Sequence, residues 1–150
     1  PLVYNHKPTG RGDDYTNLTG QPLFPFGFGL SYTSFDYTSL RLDKSIIKKG
    51  EDLTLRFKLK NTGKYKGDEV VQLYLHDELA SVARPVKELK GFQRVSLKSG
   101  EEKEIQFTIT PDMLTMLDVI LKEVIEPGKF RIMLGSSSMD IRLREVFEVR

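Results

Sequence analysis

The sequence predicts an all-β fold, an antiparallel β-sandwich preceded by an extended and mostly irregular N-terminal connector. Three observations carry that expectation. From residue 35 onward, apolar and polar residues alternate with a period of two; turn sequences containing Gly, Pro or Asn separate the alternating segments; and helical periodicity is almost absent. At 150 residues the chain suits one domain with a tail, large enough to bury a core of its own.

The connector is assigned to residues 1–34. Its stretch "KPTGRGDDYTNLTGQPLFPFGFG" (7–29) is rich in Gly, Pro, Thr, Asp and Asn and has neither periodicity. Within "PLFPFGFGLSYT" (22–33), Phe24, Phe26, Phe28 and Tyr32 are interleaved with Pro22, Pro25, Gly27 and Gly29. Proline fixes its own φ and lacks an N–H, and glycine loosens the backbone, so neither a regular helix nor a regular strand is expected there. Loops are normally wet and polar, so four rings in one of them need a surface to pack against.

The sandwich is assigned to residues 35–150. The clearest strand is "DLTLRFKLK" (52–60), with Leu53, Leu55, Phe57 and Leu59 on one side and Thr54, Arg56, Lys58 and Lys60 on the other. "EVVQLYLHD" (69–77) places Val71, Leu73 and Leu75 on a core face and Gln72, Tyr74 and His76 on a polar one. Ile105, Phe107 and Ile109 share a face in "EKEIQFTIT", as do Phe130, Ile132 and Leu134 in "KFRIMLG", and "DIRLREVFEV" closes the chain with Ile141, Leu143, Phe147 and Val149. "FDYTSLRL" (35–42), "KGFQRVSL" (90–97) and "VILKEVI" (119–125) are weaker strands, for about seven or eight in all. Turns are expected at Asn61–Gly63, Ser99–Gly100 and Pro127–Gly128. Thr110 and Pro111 in "TPDML" form the one helix-start signal, as N-cap and first helical residue.

Composition narrows the function classes. With 23 Lys and Arg against 21 Asp and Glu, the net charge of +2 is too small and dispersed for a nucleic-acid partner. No apolar run is long enough to cross a bilayer, so no membrane partner is expected. The absence of cysteine excludes disulfides, thiolate catalysis and Cys-based zinc sites. The chain starts at Pro1 and not at Met, which reads as a piece of something longer, with any leader in the missing part.

Catalytic constellations are not expected. The adjacent acidic pairs Asp13–Asp14, Asp77–Glu78 and Glu101–Glu102 fall in turn or connector sequence, where neighbouring side chains diverge into solvent. A glycosidase needs two carboxylates about 5–10 Å apart across a cleft, and no pair here suggests that. His6 and His76 read as surface histidines without metal-ligand spacing; no calcium loop is present, and "GFGL" lacks a full dinucleotide-binding pattern. No metal or cofactor is therefore expected. "RGD" at Arg11–Asp13 is a chance-prone tripeptide, and "NLT" at Asn17 fits a glycosylation acceptor. A carbohydrate-binding module would use exposed aromatic platforms; Trp is absent, leaving Tyr65 and Tyr74 as candidates.

Longer segments carry a family resemblance. "PLFPFGFGLSYTSFDYTSLRL" resembles the start of the C-terminal fibronectin type III-like domain of glycoside hydrolase family 3, the β-glucosidase and β-xylosidase group. "NTGKYKGDEVVQLYLHD", "ASVARPVKELKGFQRVSLKSGEEKEIQFTI" and "EPGKFRIMLGSSS" follow in that family's order, and "YNHKPTGR" (4–11) resembles the segment after its second domain. Phe28 stands where the family commonly has Tyr, and Ser99 where it often has Pro; Phe28 lacks a hydroxyl and its hydrogen bond. The resemblance implies an immunoglobulin or fibronectin type III-like sandwich and an extracytoplasmic parent hydrolase of β-linked glucosides or related sugars. It places the nucleophilic Asp and the acid/base Glu upstream, so no catalytic residue is carried onto this chain, which alone is expected to be inactive. The partners it implies are the upstream catalytic domains of the same polypeptide, with carbohydrate reached only through them.

On that reading Phe24, Phe26, Phe28 and Tyr32 are expected to dock the sandwich onto the catalytic body, each buried ring contributing roughly 1.5–3 kcal/mol. The loop "DELASVARP" (77–85) is a candidate for the active-site rim. The alternatives are a sugar-binding sandwich and an adhesive or spacer module; the latter would occur as tandem copies, and no internal repeat is visible.

Overall fold

The computed structural model describes Tyr4, residues 22–78 and residues 85–150. Arg11–Asp13, Asp14, Asn17 and His6 lie outside these, as do residues 79–84 of the expected rim loop.

Two sheets face each other across one core. The smaller holds β1 (Phe35–Leu42), β3 (Leu53–Asn61) and β6 (Glu102–Ile109), in the order β1-β3-β6. The larger holds β2 (Ile46–Ile47), β10 (Ile141–Val149), β9 (Gly128–Gly135), β4 (Gly67–Asp77) and β5 (Glu88–Leu97), in the order β2-β10-β9-β4-β5. All pairings within them are antiparallel except one. Ile46 and Ile47 of β2 run parallel to Glu148 and Val149 of β10, so the chain leaves the small sheet after β1 and covers the outer edge of the large one. Arg150 N donates to Ile47 O at 2.9 Å and Glu148 N to Ser45 O at 3.0 Å.

The core is built as the alternation predicts. Leu53, Leu55, Phe57 and Leu59 of β3 are buried and lie over Val71, Leu73 and Leu75 of β4 and Phe130, Ile132 and Leu134 of β9. Tyr37 stacks on Phe57 with ring centroids 5.7 Å apart, and Phe130 on Phe147 at 5.5 Å. A short helix α1 (Pro111–Leu114) follows β6 with Thr110 as N-cap, although the Thr110 hydroxyl donates to Asp112 and accepts no bond from the helix N–H groups.

Three local expectations are corrected. The segment 119–125 is not a continuous strand: β7 (Met116–Leu117) and β8 (Glu123–Val124) form a small hairpin, and Val119, Ile120 and Leu121 make its exposed tip. Asp118 causes this, its Oδ1 accepting from Ile120 N at 2.9 Å and Lys122 N at 3.0 Å. The turn expected at Asn61–Gly63 starts one residue later, Asn61 being the fully buried last residue of β3. The expected polar face of β4 is in part buried: Gln72 and Tyr74 are buried along with Val71 and Leu73, because the outer side of β4 is covered at these two residues, while Val70 on that side stays exposed and His76 half-buried.

Candidate functional site

What covers β4 is the connector. Residues 22–34 contain no helix or strand, and they make a tight turn in which Phe28 N donates to Pro25 O at 3.0 Å. Gly27 holds the third position of that turn with φ +77°, a conformation glycine adopts without steric cost. Phe26 at the turn stacks on Tyr4, with centroids 4.1 Å apart and planes 16° from parallel. Tyr4 in turn meets the edge of Tyr74 at 6.0 Å, and its hydroxyl accepts from Leu89 N at 3.3 Å.

Polar tethers fix this contact to the sheet. Tyr74 OH donates to Gln72 Oε1 at 2.5 Å, and Gln72 Nε2 donates to Gly27 O at 3.0 Å and to Ser136 O at 2.7 Å. Ser138 N donates to Phe26 O at 2.9 Å, and Lys87 Nζ reaches Ser138 O at 2.5 Å. Burial pushes the Tyr74 phenol up to about 12, which keeps it a neutral donor at physiological pH, and burial lowers the Lys87 ammonium from its ordinary value. Further along, Thr33 Oγ1 donates to Asn61 Oδ1 at 2.6 Å, while Asn61 Nδ2 donates to Tyr65 O at 2.8 Å and Leu97 O at 3.1 Å. Asn61 thus joins the end of the connector to the β3–β4 and β5–β6 turns.

The other side of the connector faces solvent. Phe24 and Phe28 pack on each other at 5.2 Å, yet both remain exposed. Leu23, Leu30 and Tyr32 are 87%, 90% and 97% exposed, an apolar strip that no described residue covers. All four expected docking rings keep exposed surface: Phe26 stacks on Tyr4 yet is 46% exposed, as Phe28 is at 45%, and Phe24 and Tyr32 are more exposed still. Phe92 of β5 and Val70 of β4, on the same outer sheet face, add further exposed apolar surface.

A second polar cluster lies inside the sandwich. Tyr37 OH donates to Glu69 Oε1 at 2.7 Å, both groups being buried between β1 and β4. The Arg142 guanidinium sits 5.5 Å above the Tyr37 ring, donates to Phe35 O at 2.6 Å and pairs with Asp140 at 2.8 Å. Burial raises the Glu69 carboxyl above its ordinary value, while the Arg142 hydrogen bond lowers Asp140. Burial also raises the Tyr37 phenol, with the Glu69 charge adding to it. The cluster links the two sheets, with the Tyr37 hydroxyl bonded to the buried Glu69 carboxylate.

The other singled-out residues do not converge. Asp77 is not a turn residue but ends β4 and is buried, while Glu78 accepts from Arg131 Nη2 at 2.5 Å. Glu101 lies in the β5–β6 turn, where its Oε2 accepts from Lys98 N at 2.7 Å, and Glu102 pairs with Lys58 at 2.8 Å from the start of β6. His76 is half-buried beside Pro85 O at 3.2 Å, and it lines an open cleft with Glu78, Lys129, Arg131 and Glu148. Of the two sugar-platform candidates Tyr65 is exposed, but Tyr74 is fully buried, a correction that follows from the connector lying over it. Among the described residues no group of three or more His, Cys, Asp or Glu is arranged to hold a metal ion.

Comparison with known proteins adds the context for this geometry. Residues 69–138 match the fibronectin type III-like domain. The chain is 45% identical over 150 residues to a β-xylosidase of Formosa agariphila, covering 97% of this chain and 21% of that protein. It is 37% identical over 152 residues to a periplasmic β-glucosidase of Salmonella typhimurium, covering 95% of this chain and 20% of that protein. Among solved structures it superposes on the β-glucosidase EmGH1 of Erythrobacter marinus with a TM-score of 0.93 at 39% identity, over 100% of this chain and 20% of that one. The matched parts are the C-terminal regions of these enzymes, and this chain spans about a fifth of their length.

Proposed function

Because this chain belongs to the fibronectin type III-like domains that end family 3 β-glucosidases and β-xylosidases, we propose that it braces the catalytic part of such an enzyme without taking part in the chemistry. Residues 1–34 would be the connector from the preceding catalytic region, and residues 35–150 the sandwich. The observation that carries the reading is the two-sided connector. Its inner side is tied to β4 through Gly27 and Gln72 and to Ser138 through the Phe26 carbonyl, and its outer side leaves Phe24, Phe26, Phe28, Leu30 and Tyr32 exposed among the described residues. Burying such rings between domains contributes roughly 1.5–3 kcal/mol each, enough for several to hold two bodies in a fixed relation.

The parent's reaction would be hydrolysis of β-linked glucosides, xylosides or related sugars, with carbohydrate bound by the upstream region. An extracytoplasmic parent is supported by the periplasmic β-glucosidase among the relatives. Among the described residues no helix is long and apolar enough to cross a membrane.

The test compares hydrolysis of chromogenic β-glucoside and β-xyloside by the parent enzyme, the parent truncated before Pro22, and this chain alone. An active parent, an inert chain and a truncated form that is unstable or dead support the bracing role. Hydrolysis by the chain alone overturns it.

A further inference from the structure

We infer that the tip of the β7–β8 hairpin is a second docking point, received by an apolar recess on the region that precedes the connector in the parent polypeptide; this rests on the bracing role proposed above. Leu117, Val119, Ile120 and Leu121 are all exposed at this tip, three of them consecutive. Hairpin tips are ordinarily built from Gly, Asn, Asp and Ser. Leu121 moreover has φ +61°, the left-handed region where a leucine is strained and glycine or asparagine is preferred. The tip is also held in shape: Asp118 N donates to Lys122 O and Leu121 N to Asp118 O, both at 3.0 Å, alongside the two bonds accepted by the Asp118 carboxylate. A rigid turn that retains strain in order to present apolar side chains is preorganised for a contact.

Three observations identify the occupant. First, the tip is small. A stable interface between separate proteins buries about 800 Å² on each partner, from some 20–30 residues, and four side chains fall far short of that. Such a patch gains weight only where a tether already holds the partner at an effective concentration on the order of millimolar, as the connector would. Second, the charges beside the tip are Asp118, Lys122 and Glu123, which offer an anionic lipid surface no net attraction.

Third, the connector leads to the same end of the sandwich. Tyr4 packs beside Tyr74 and Leu89, and the described residues 22–34 run along β4 from Gly27 at Gln72 to Thr33 at Asn61, where β1 starts. Tyr74 is three residues from Asp77, the end of β4, and Asp77 pairs with Phe130, just after β9 emerges from the hairpin. Tyr4 thus lies on the half of the sandwich that carries the tip, and the parent's preceding region joins the chain within three residues of it. Two attachment points, one along the face and one at the end, remove the hinge freedom that a connector alone would leave.

The test places Leu121→Asn and Ile120→Lys separately in the parent enzyme and in the 150-residue chain, and reads melting temperature together with amide exchange of the hairpin. In the isolated chain Leu121→Asn is expected to leave the melting temperature unchanged or raise it, since the strain is relieved. In the parent both variants are expected to lower it by a few degrees and speed exchange at residues 116–124. Unchanged parent melting, with hairpin amides exchanging as fast in the parent as in the isolated chain, overturns the inference. Loss of a dimer by either variant also overturns it, assigning the tip to a second copy. A parent carrying Phe24→Ser and Phe28→Ser separates the two proposals. Destabilisation there with silent tip variants sinks only the hairpin contact, whereas silence in all of them sinks the bracing role too.

Discussion

Gln72 and Gly27 are 45 positions apart in sequence and share a hydrogen bond, Gln72 Nε2 donating to Gly27 O at 3.0 Å from a side chain that is itself buried. The same nitrogen donates to Ser136 O at 2.7 Å, so one amide binds the connector to the β9–β10 loop. A buried group left without its partner costs about 1–3 kcal/mol. Gln72→Leu should therefore destabilise the chain by about that amount, as read by urea unfolding, and should raise amide exchange at residues 25–28 before exchange in the core.

Gly27→Ala attacks the same joint from the other side. A Cβ there would fall onto the Gln72 side chain, and φ +77° disfavours any L residue by roughly 1–2 kcal/mol. The expected result is a loss at least as large as for Gln72→Leu. Combining the two changes should cost less than their sum, because both break one contact. Full additivity would show that the connector is not held through this bond.

The rings of the connector should separate in the isolated chain. Phe26→Ala removes the stack on Tyr4, the ring that meets the edge of Tyr74, and a loss of about 0.5–1.5 kcal/mol is expected in chemical unfolding. Tyr32→Ala, at a residue 97% exposed, should change stability by no more than about 0.5 kcal/mol. In the parent enzyme the order should reverse for Tyr32, which on the bracing reading is covered there. A Tyr32→Ala parent as stable as wild type would count against Tyr32 as a docking residue.

How far the sequence discloses all this depends on what determines each feature. β3 was legible because one of its faces meets the core and the other meets water, so burial writes a period of two into the residues. β4 was only half legible: the same rule assigns Gln72 and Tyr74 to solvent, and nothing in residues 69–77 says that residues 22–33 lie over them. The aromatic density of the connector was the sole hint that it needed a surface. Val119–Ile125 imitates a strand because apolar content, not turn chemistry, dominates it; the decisive residue is Asp118, whose carboxylate caps two amides of the turn. Asn61 sits in a sequence that reads as a turn, and its role is invisible without the three segments it joins.

Asn61 offers a sharper probe than any hydrophobic residue of β3. Its side chain satisfies Tyr65 O, Leu97 O, Gly63 N and the Thr33 hydroxyl, with the whole residue buried. Asn61→Ala leaves these groups partnerless where water has little access, and a loss on the order of 2–4 kcal/mol is expected. Asn61→Asp should be no milder: it keeps the size and the acceptors but loses both N–H donors and faces two carbonyl oxygens with a carboxylate. If Asn61→Asp is as stable as wild type at neutral pH, the donor bonds to Tyr65 and Leu97 contribute little.

Glu69 sets a pH dependence whose sign can be worked out. Burial raises its carboxyl above the ordinary value of 4.5, so between that value and the raised one the folded chain holds a proton that the unfolded chain has released. The unfolded state binding fewer protons, stability falls as pH rises through this window, then stays level. The Tyr37 hydrogen bond and the Arg142 charge oppose the shift, and the Asp140 charge adds to it. Asp140 works the other way: its carboxyl is held below the ordinary 3.8 by Arg142, so its contribution is complete above that value and is lost only as pH falls further. Glu69→Gln keeps an acceptor for the Tyr37 hydroxyl and removes the titrating charge. Thermal melting of wild type and Glu69→Gln should therefore give curves close together below the ordinary value of 4.5 that separate as pH rises through the window above it and then run parallel, with the variant the more stable. A separation that is constant with pH would show that Glu69 titrates at its ordinary value, and a wild type gaining on the variant as pH rises would mean that the Arg142 charge outweighs the burial.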